Sequence, residues 1–261
     1  MVEKMSVKFK ITGIKLKKII NAIRDVKSEC KLMFDSDGMR VYNLNLHNTM
    51  LFRLHIEPSA FVQYSCESPI SVNVDINSIH NMRGLIDTVM NASVKENKII
   101  FGSESGTGFT IHALNWGLKK NDHIEYSRIS EQYGNNLNVM ACIKSPKTVL
   151  SFLKVSKAFG EHVILNINNL DGTLFVSDES DTGDICICKT GYYTVISDDI
   201  KPEDVKIRNG YSIEYLMPIF KSLTRNVEIR TTRDGLIHVR GDLFDGCNAI
   251  YYLAPRTIDG D

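Results

Sequence analysis

The sequence predicts an α+β protein built from two duplicated halves, each holding two copies of a helix followed by a pair of antiparallel strands. Three observations carry this. Short segments alternate apolar and polar residues with a period of two, as in 39–42, 109–114, 184–188, 227–230 and 237–240, which is the pattern of half-buried antiparallel strands. Tight-turn pairs recur at Asp37-Gly38, Glu96-Asn97, Asp171-Gly172 and Asp234-Gly235, residues that tolerate the positive φ a hairpin needs. Their spacing also repeats. Gly38 and Asn97 lie 59 residues apart and Gly172 and Gly235 lie 63 apart, while the halves are offset by 134 to 138 residues. A fixed offset of this kind is the mark of internal duplication.

Each repeat places an amphipathic helix ahead of its turn. The first helix is expected over residues 15–27, where Leu16, Ile19, Ile20 and Ile23 form one stripe and Lys17, Lys18, Asn21 and Arg24 lie opposite. The pair 31–34 and 39–42 then reads as its strands. A second helix is expected over 76–90, carrying Arg83 and His80, before the turn at Glu96-Asn97. Residues 119–138 are polar with spaced apolar residues, and a connection this long is functional or a linker. The third helix, 146–159, opens on Pro146, which is tolerated in a first turn. Its apolar side holds Val149, Phe152, Leu153 and Ser156, and Lys147, Ser151 and Lys154 oppose them. The fourth, 211–225, contains Pro218, which should kink or shorten it.

The chain is neutral overall, with 31 Lys plus Arg against 31 Asp plus Glu, so distribution matters more than the sum. The first and third helices, at corresponding places of the repeat, are strongly basic. Such faces attract a phosphate backbone without reading bases. There are no signature aromatic motifs of RNA-binding modules.

Other chemistries find no support. The sequence has no phosphate-binding G-x-x-x-x-G-K-[ST] loop, no G-x-S-x-G elbow and no H-E-x-x-H. Residues 102–106 read as a strand-connecting loop. The seven histidines are scattered, and the acidic run at 178–181 lacks calcium-loop spacing. Six cysteines without a C-x-x-C pair suit reduced, mostly buried thiols rather than a zinc site. The apolar stretches are far shorter than a membrane span, and residues 1–10 lack the apolar core of a secretory signal. A non-enzymatic protein with no cofactor and no metal is expected.

Three runs add a family resemblance: Leu16-Lys17-Lys18-Ile19-Ile20-Asn21-Ala22-Ile23, Asp37-Gly38-Met39-Arg40-Val41, and the closing Ile250-Tyr251-Tyr252-Leu253-Ala254-Pro255. With the duplicated halves, they make the chain resemble the proliferating cell nuclear antigen (PCNA) family of sliding clamps over nearly its whole length. The resemblance implies the DNA clamp, or processivity, fold. It places an N-terminal clamp domain at 1–118, an interdomain connecting loop at 119–138 and a C-terminal clamp domain at 139–261. Three subunits would close head to tail into a homotrimeric ring around double-stranded DNA, sequence-independently, with helices lining the hole.

The same resemblance implies that the chain is a polymerase processivity factor tethering replication and repair proteins. Its expected partners are a DNA polymerase, a clamp loader and other proteins with a PCNA-interacting peptide, with no membrane. DNA contact falls to Lys17, Lys18, Lys154 and Lys221, extended to Arg24 and Lys157. The partner pocket falls to Leu44, Thr49, Leu51, Ile129, Leu236, Tyr252, Leu253 and Ala254, taking a short turn with apolar anchors. Subunits would join through edge strands at 109–116 (Phe109, Ile111, Ala113) and 183–189 (Ile185, Cys186, Ile187). The chain departs from the family pattern at Glu214, Asn81 and Gly84, where relatives carry basic residues, and in its connecting loop. A subunit of a heterotrimeric or checkpoint-type clamp, or a clamp-fold scaffold that does not encircle DNA, is the alternative. The expected location is the nucleus in a eukaryote, the host nucleus or replication site for a virus, and the cytoplasm in an archaeon.

Overall fold

The computed structural model describes residues 7–86, 88–95, 97–114, 128, 139–143, 145–168, 175–177, 187–188, 191–195, 206–232 and 235–256. The chain divides into two compact units: Met1–Leu46, Phe52–Ser127 and Leu243–Ala249 in the first; His47–Leu51, Arg128–Asp242 and Ile250–Asp261 in the second.

The N-terminal half runs β1 (Val7–Thr12), α1 (Gly13–Arg24), β2 (Glu29–Asp35), β3 (Gly38–Leu44), β4 (Met50–Ile56), β5 (Gln63–Cys66), β6 (Ile70–Asp75), α2 (Ile76–Asn81), β7 (Val89–Lys95), β8 (Lys98–Ser103) and β9 (Gly108–His112). The C-terminal half runs β10 (Val139–Ile143), α3 (Pro146–Ser156), β11 (His162–Asn168), β12 (Phe175–Ser177), β13 (Ile187–Cys188), β14 (Gly191–Val195), β15 (Lys206–Ser212), α4 (Ile213–Ser222), β16 (Arg225–Thr231), β17 (Ile237–Phe244) and β18 (Cys247–Leu253).

The duplication is visible strand by strand. In the first half the strands are hydrogen-bonded in the orders β5-β1-β7-β8-β9 and β4-β3-β2-β6. In the second half the orders are β14-β10-β16-β17-β18 and β13-β12-β11-β15. Each strand has its counterpart in the other half at the same place. Both halves use antiparallel pairing throughout the described ladders, as β1 with β7 and β10 with β16 show.

Alternation fixes which faces are buried. In β1, Val7, Phe9 and Ile11 point inward while Lys8 is exposed. Phe9 then meets Phe34 of β2 with ring centroids 5.9 Å apart, Phe61 at 5.3 Å and Phe101 of β8 at 6.4 Å. Four buried aromatics on different elements thus form the centre of the first unit. In the second, Val163, Leu165, Tyr211, Leu216, Ile219 and Val239 are completely buried.

The first hairpin turn is tight for a stated reason. Asp35 pairs with Gly38, leaving Ser36 and Asp37 as the loop. Gly38 has φ +114°, and a Cβ there would lie 2.0 Å from the Ile56 carbonyl oxygen, so only glycine fits. Tyr64 closes the turn from β5, its hydroxyl lying 2.7 Å from the Asp35 carbonyl and 2.8 Å from that of Gly38. Gly235 has φ +81° and its carbonyl accepts from the buried Tyr211 hydroxyl. The turn at Asp171-Gly172 lies outside the described residues. Of the 102–106 stretch expected as a loop, Gly102 and Ser103 belong to β8, where they pair with β7, and the connection to β9 spans residues 104–107, with the Ser103 and Thr107 hydroxyls 2.6 Å apart.

Two helix expectations need correction. The second helix does not run over 76–90. It ends at Asn81, a 3-10 turn follows at Arg83–Leu85, and Val89–Lys95 is strand. Only Ile76 and Ile79 bury a helical face, Met82 and Leu85 are exposed, and pairing with β1 captures Val89 and Met90 (Thr12 with Val89, Ile11 with Met90). The fourth helix is shorter than 211–225 because Tyr211 and Ser212 belong to β15 and Arg225 to β16; Pro218 sits inside a continuous helix. The first and third helices end at Arg24 and Ser156, each short of the expected end. No helix among the described residues is long and apolar enough to cross a membrane.

Candidate nucleic-acid interface

The apolar stripe of α1 puts its basic residues outside. Leu16, Ile19, Ile20 and Ile23 are buried, so Lys17, Lys18 and Asn21 are exposed on the opposite face. Lys15 does not join them. Its ammonium donates to the Ala60 carbonyl at 2.6 Å and lies 5.3 Å from the Phe244 ring centroid, so its charge is committed within the unit. The Lys18 ammonium lies 3.5 Å from the Leu243 carbonyl oxygen, the outer limit of a hydrogen bond, and stays exposed.

Arg24 is half-buried at the last turn of α1. Its guanidinium donates to Nε2 of His80 on α2 and comes within 3.4 Å of Asp25. Arg83, just beyond α2, directs a second guanidinium N–H at the same His80 nitrogen, 3.1 Å away. Partial burial, then the charges of Arg24 and Arg83, hold His80 below its ordinary value. Sequence periodicity showed Arg24 and Arg83 as separate surface charges. Their convergence depends on α1 and α2 packing side by side, which no local pattern reveals.

In the second unit α3 repeats the design of α1. Pro146, Val149, Phe152, Leu153 and Ser156 are buried, while Lys147, Ser151, Lys154 and Lys157 are exposed. The helix is anchored at Ser145, whose hydroxyl accepts from the Thr148 N–H at 3.3 Å. Beside it, α4 exposes Glu214 in its first turn and Lys221 in its last. Each charge stands at the end of the helix dipole that favours it, but the face is mixed in sign. All six residues expected to contact DNA therefore lie on helices or a helix cap. Five are exposed, and Arg24 is drawn to His80.

The residues expected to form a partner pocket have different environments. Leu51, Tyr252 and Leu253 are buried, and Leu44, Thr49, Leu236 and Ala254 are half-exposed. Ile129 lies outside the described residues. Leu51 and Leu253 therefore serve as strand core, because β4 and β18 turn those side chains inward. The Ala254 N–H donates to the Thr49 carbonyl at 3.0 Å, tying the end of β18 to the start of β4. Tyr252 packs its ring against His238, centroids 4.9 Å apart. His238 is 5% exposed, and its pKa is lowered to about 4 by burial first and then by Arg230 and Arg240. In the first unit Leu46 is 80% exposed. The sequence marked it no more than any other apolar residue.

Of the expected joining strands, β9 stands at the end of its sheet and, among the described residues, pairs with β8 alone. Phe109 and Ala113 are half-buried and Ile111 is buried, which follows the alternation. β13 also ends its sheet, paired among the described residues with β12 alone. It includes Ile187, while Ile185 and Cys186 lie outside the described residues. Among the described residues no cluster of His, Cys, Asp and Glu has the makings of a metal site.

Comparison with known proteins agrees with this architecture. The model of the proliferating cell nuclear antigen N-terminal domain matches residues 4–120. A DNA polymerase sliding clamp of Methanosphaerula palustris is 23% identical over 249 residues, covering 93% of this chain and 94% of the relative. The DNA polymerase sliding clamp of Haloarcula marismortui is 19% identical over 247 residues, with 92% and 94% covered. Among solved structures, PCNA from Thermococcus kodakaraensis superposes with a TM-score of 0.76 at 14% identity, covering 96% of this chain and all of that one. A. fulgidus PCNA, bound to the C-terminal region of FEN-1, gives 0.74 at 15%, with 97% and 100% covered. With the PCNA N-terminal domain model matching residues 4–120 and sliding clamps aligned along more than nine-tenths of its length, this chain has the clamp fold and is similar throughout to the proliferating cell nuclear antigen family of sliding clamps.

Proposed function

We propose that the chain is one subunit of a homotrimeric ring that encircles duplex DNA and tethers a polymerase and other replication and repair proteins to it. The observation that carries this reading is the paired basic faces of α1 and α3. Lys17, Lys18, Lys154 and Lys157 are exposed opposite apolar stripes, at equivalent places of a duplicated fold. Lysines on a rigid helix attract phosphates as point charges and carry no base preference. That suits a protein that must slide. Catalysis is not part of the role: the protein acts by topology and electrostatics.

The partner surface is a half-exposed edge of the second unit at Leu236, Thr49 and Ala254. An apolar segment of a partner is the matching ligand. Buried Tyr252 and Leu253 support this surface from beneath.

The test is polymerase stimulation on primed circular DNA. The triple variant Lys17→Glu, Lys18→Glu, Lys154→Glu should lose it by about tenfold or more at physiological salt, since it reverses three phosphate-attracting charges on every subunit and backbone neutralisation carries sequence-independent affinity. Undiminished stimulation would show that the basic faces are not needed.

A further inference from the structure

Two guanidinium groups point at one imidazole nitrogen where α1 meets α2. Arg24 donates to His80 Nε2, and Arg83 Nη1 lies 3.1 Å from the same atom. A neutral imidazole nitrogen offers one in-plane lone pair. It can align with one donor well and leaves the other poorly satisfied. The two arginines also repel each other, and their compensation is uneven. Asp25 approaches Arg24 at 3.4 Å, while no carboxylate among the described residues reaches Arg83. The groups facing His80 are Arg24 and Asp25 from α1, and Asn81 and Arg83 from its own segment. Two guanidinium donors thus share one acceptor at the surface.

We propose that Arg24, His80 and Arg83 are a phosphate-binding cluster, and that His80 takes up a proton from solvent when phosphate binds. A phosphate has oxygens enough to accept from both guanidiniums in good geometry. Once they turn to it, Nε2 is released and can be protonated, and the imidazolium becomes a third donor. Binding and protonation are then linked: the anion raises the histidine's pKa, and lower pH strengthens binding by the same factor. Desolvation first, and then the charges of Arg24 and Arg83, lower the pKa of the unliganded histidine, so the anion acts against the second of these causes. The inference rests on the reading that this face meets DNA, and it adds Arg83 and His80 to the contact together with a pH response.

The experiment follows His80 by proton NMR in the full chain, alone, with a short DNA duplex and with inorganic phosphate. Duplex affinity is measured in parallel against salt and pH. The duplex should move the His80 midpoint upward, and duplex affinity should rise several-fold as pH falls across about 7 to 6. His80→Gln should abolish that rise. Arg83→Ala should reduce the salt slope by roughly one phosphate contact, about 0.9. A midpoint indifferent to both ligands, or wild-type pH and salt dependence in the two variants, overturns the proposal. A shift with inorganic phosphate alone supports a small-anion site and overturns a role on DNA. Lys17→Glu with Lys18→Glu is the control. If it weakens duplex binding and the cluster variants do not, the cluster is inert while α1 still meets DNA. If none weakens binding, the DNA reading falls with it.

Discussion

His238 lies on β17 among charges and under an aromatic ring, with its Nδ1 buried and unpartnered. Its cross-strand neighbour Arg230 is occupied by Glu228 at 3.1 Å. Burial and the nearby Arg230 and Arg240 lower its pKa from 6.5 to about 4. The unfolded chain binds this proton first as pH falls. The neutral histidine's stability contribution is therefore intact above about pH 6.5 and is lost as pH drops toward 4. The loss amounts to roughly 3 kcal/mol at most. Denaturant unfolding of the wild type and His238→Gln at several pH values checks this. The wild type should show the steeper decline between pH 6.5 and 4, and parallel declines would assign the acid sensitivity elsewhere. Because His238 supports Tyr252, the same protonation should loosen the proposed partner surface before the fold is lost. A sequence reading classes this histidine with six others. Its character comes from the strands on either side.

The helices share a way of satisfying their first turns. The Gly13 N–H of α1 donates to the Thr88 carbonyl, the Ile76 N–H of α2 to Ser28, and the Ile213 N–H of α4 to Glu161, at 2.8 to 2.9 Å. In each case the acceptor precedes a neighbouring strand or stands next to it, so the capping group arrives with the tertiary fold. The remaining helix, α3, opens on Pro146, which has no N–H to satisfy. It relies instead on the Ser145 side chain. Ser145→Ala should therefore cost about 1 kcal/mol in urea unfolding, whereas Thr12→Ala, which removes no side-chain cap bond, should cost much less. Equal losses would mean that the α3 cap is not what holds its first turn. This also explains what was legible beforehand. α1 and α3 declare themselves through unbroken apolar stripes that the structure reproduces within a few residues. α2 was overread because Val89 and Met90 fit a helical period as well as an alternating one, and only pairing with β1 decides between them. The Asp37-Gly38 turn is legible in the sequence, yet the need for Gly38 comes from the approach of β4, which no local motif contains. The basic residues of the candidate interface were readable one by one, while the meeting of Arg24, His80 and Arg83 was not.

The duplicated fold leaves an asymmetry that bears on assembly. Each half has a five-strand run in the same order, and β9 in the first corresponds to β18 in the second. Among the described residues β9 nevertheless ends its sheet, pairing with β8 alone, and on the other half's smaller sheet β13 likewise ends the order. β9 and β13 are two of the six sheet ends, and two unlike edges are what a head-to-tail joint requires, since each copy offers one and receives the other. An open edge in a monomer would expose unpaired backbone groups and invite uncontrolled association. Thr110 lies at the centre of β9 and is exposed. Thr110→Pro should be tolerated by the fold, because the register with β8 turns the Thr110 N–H away from that strand and proline fits an edge position whose N–H faces outward, but it removes the N–H that a joining strand would use. In native mass spectrometry the wild type should appear as about three times the 29.5 kDa chain. The variant should shift toward the single chain while keeping the wild-type circular dichroism spectrum. It should also lose polymerase stimulation on circular DNA with every lysine of α1 and α3 in place, which separates ring closure from surface charge. A variant that keeps the wild-type mass would move the joint away from β9, and a wild type that stays at the single-chain mass at high concentration would remove the ring on which sliding depends.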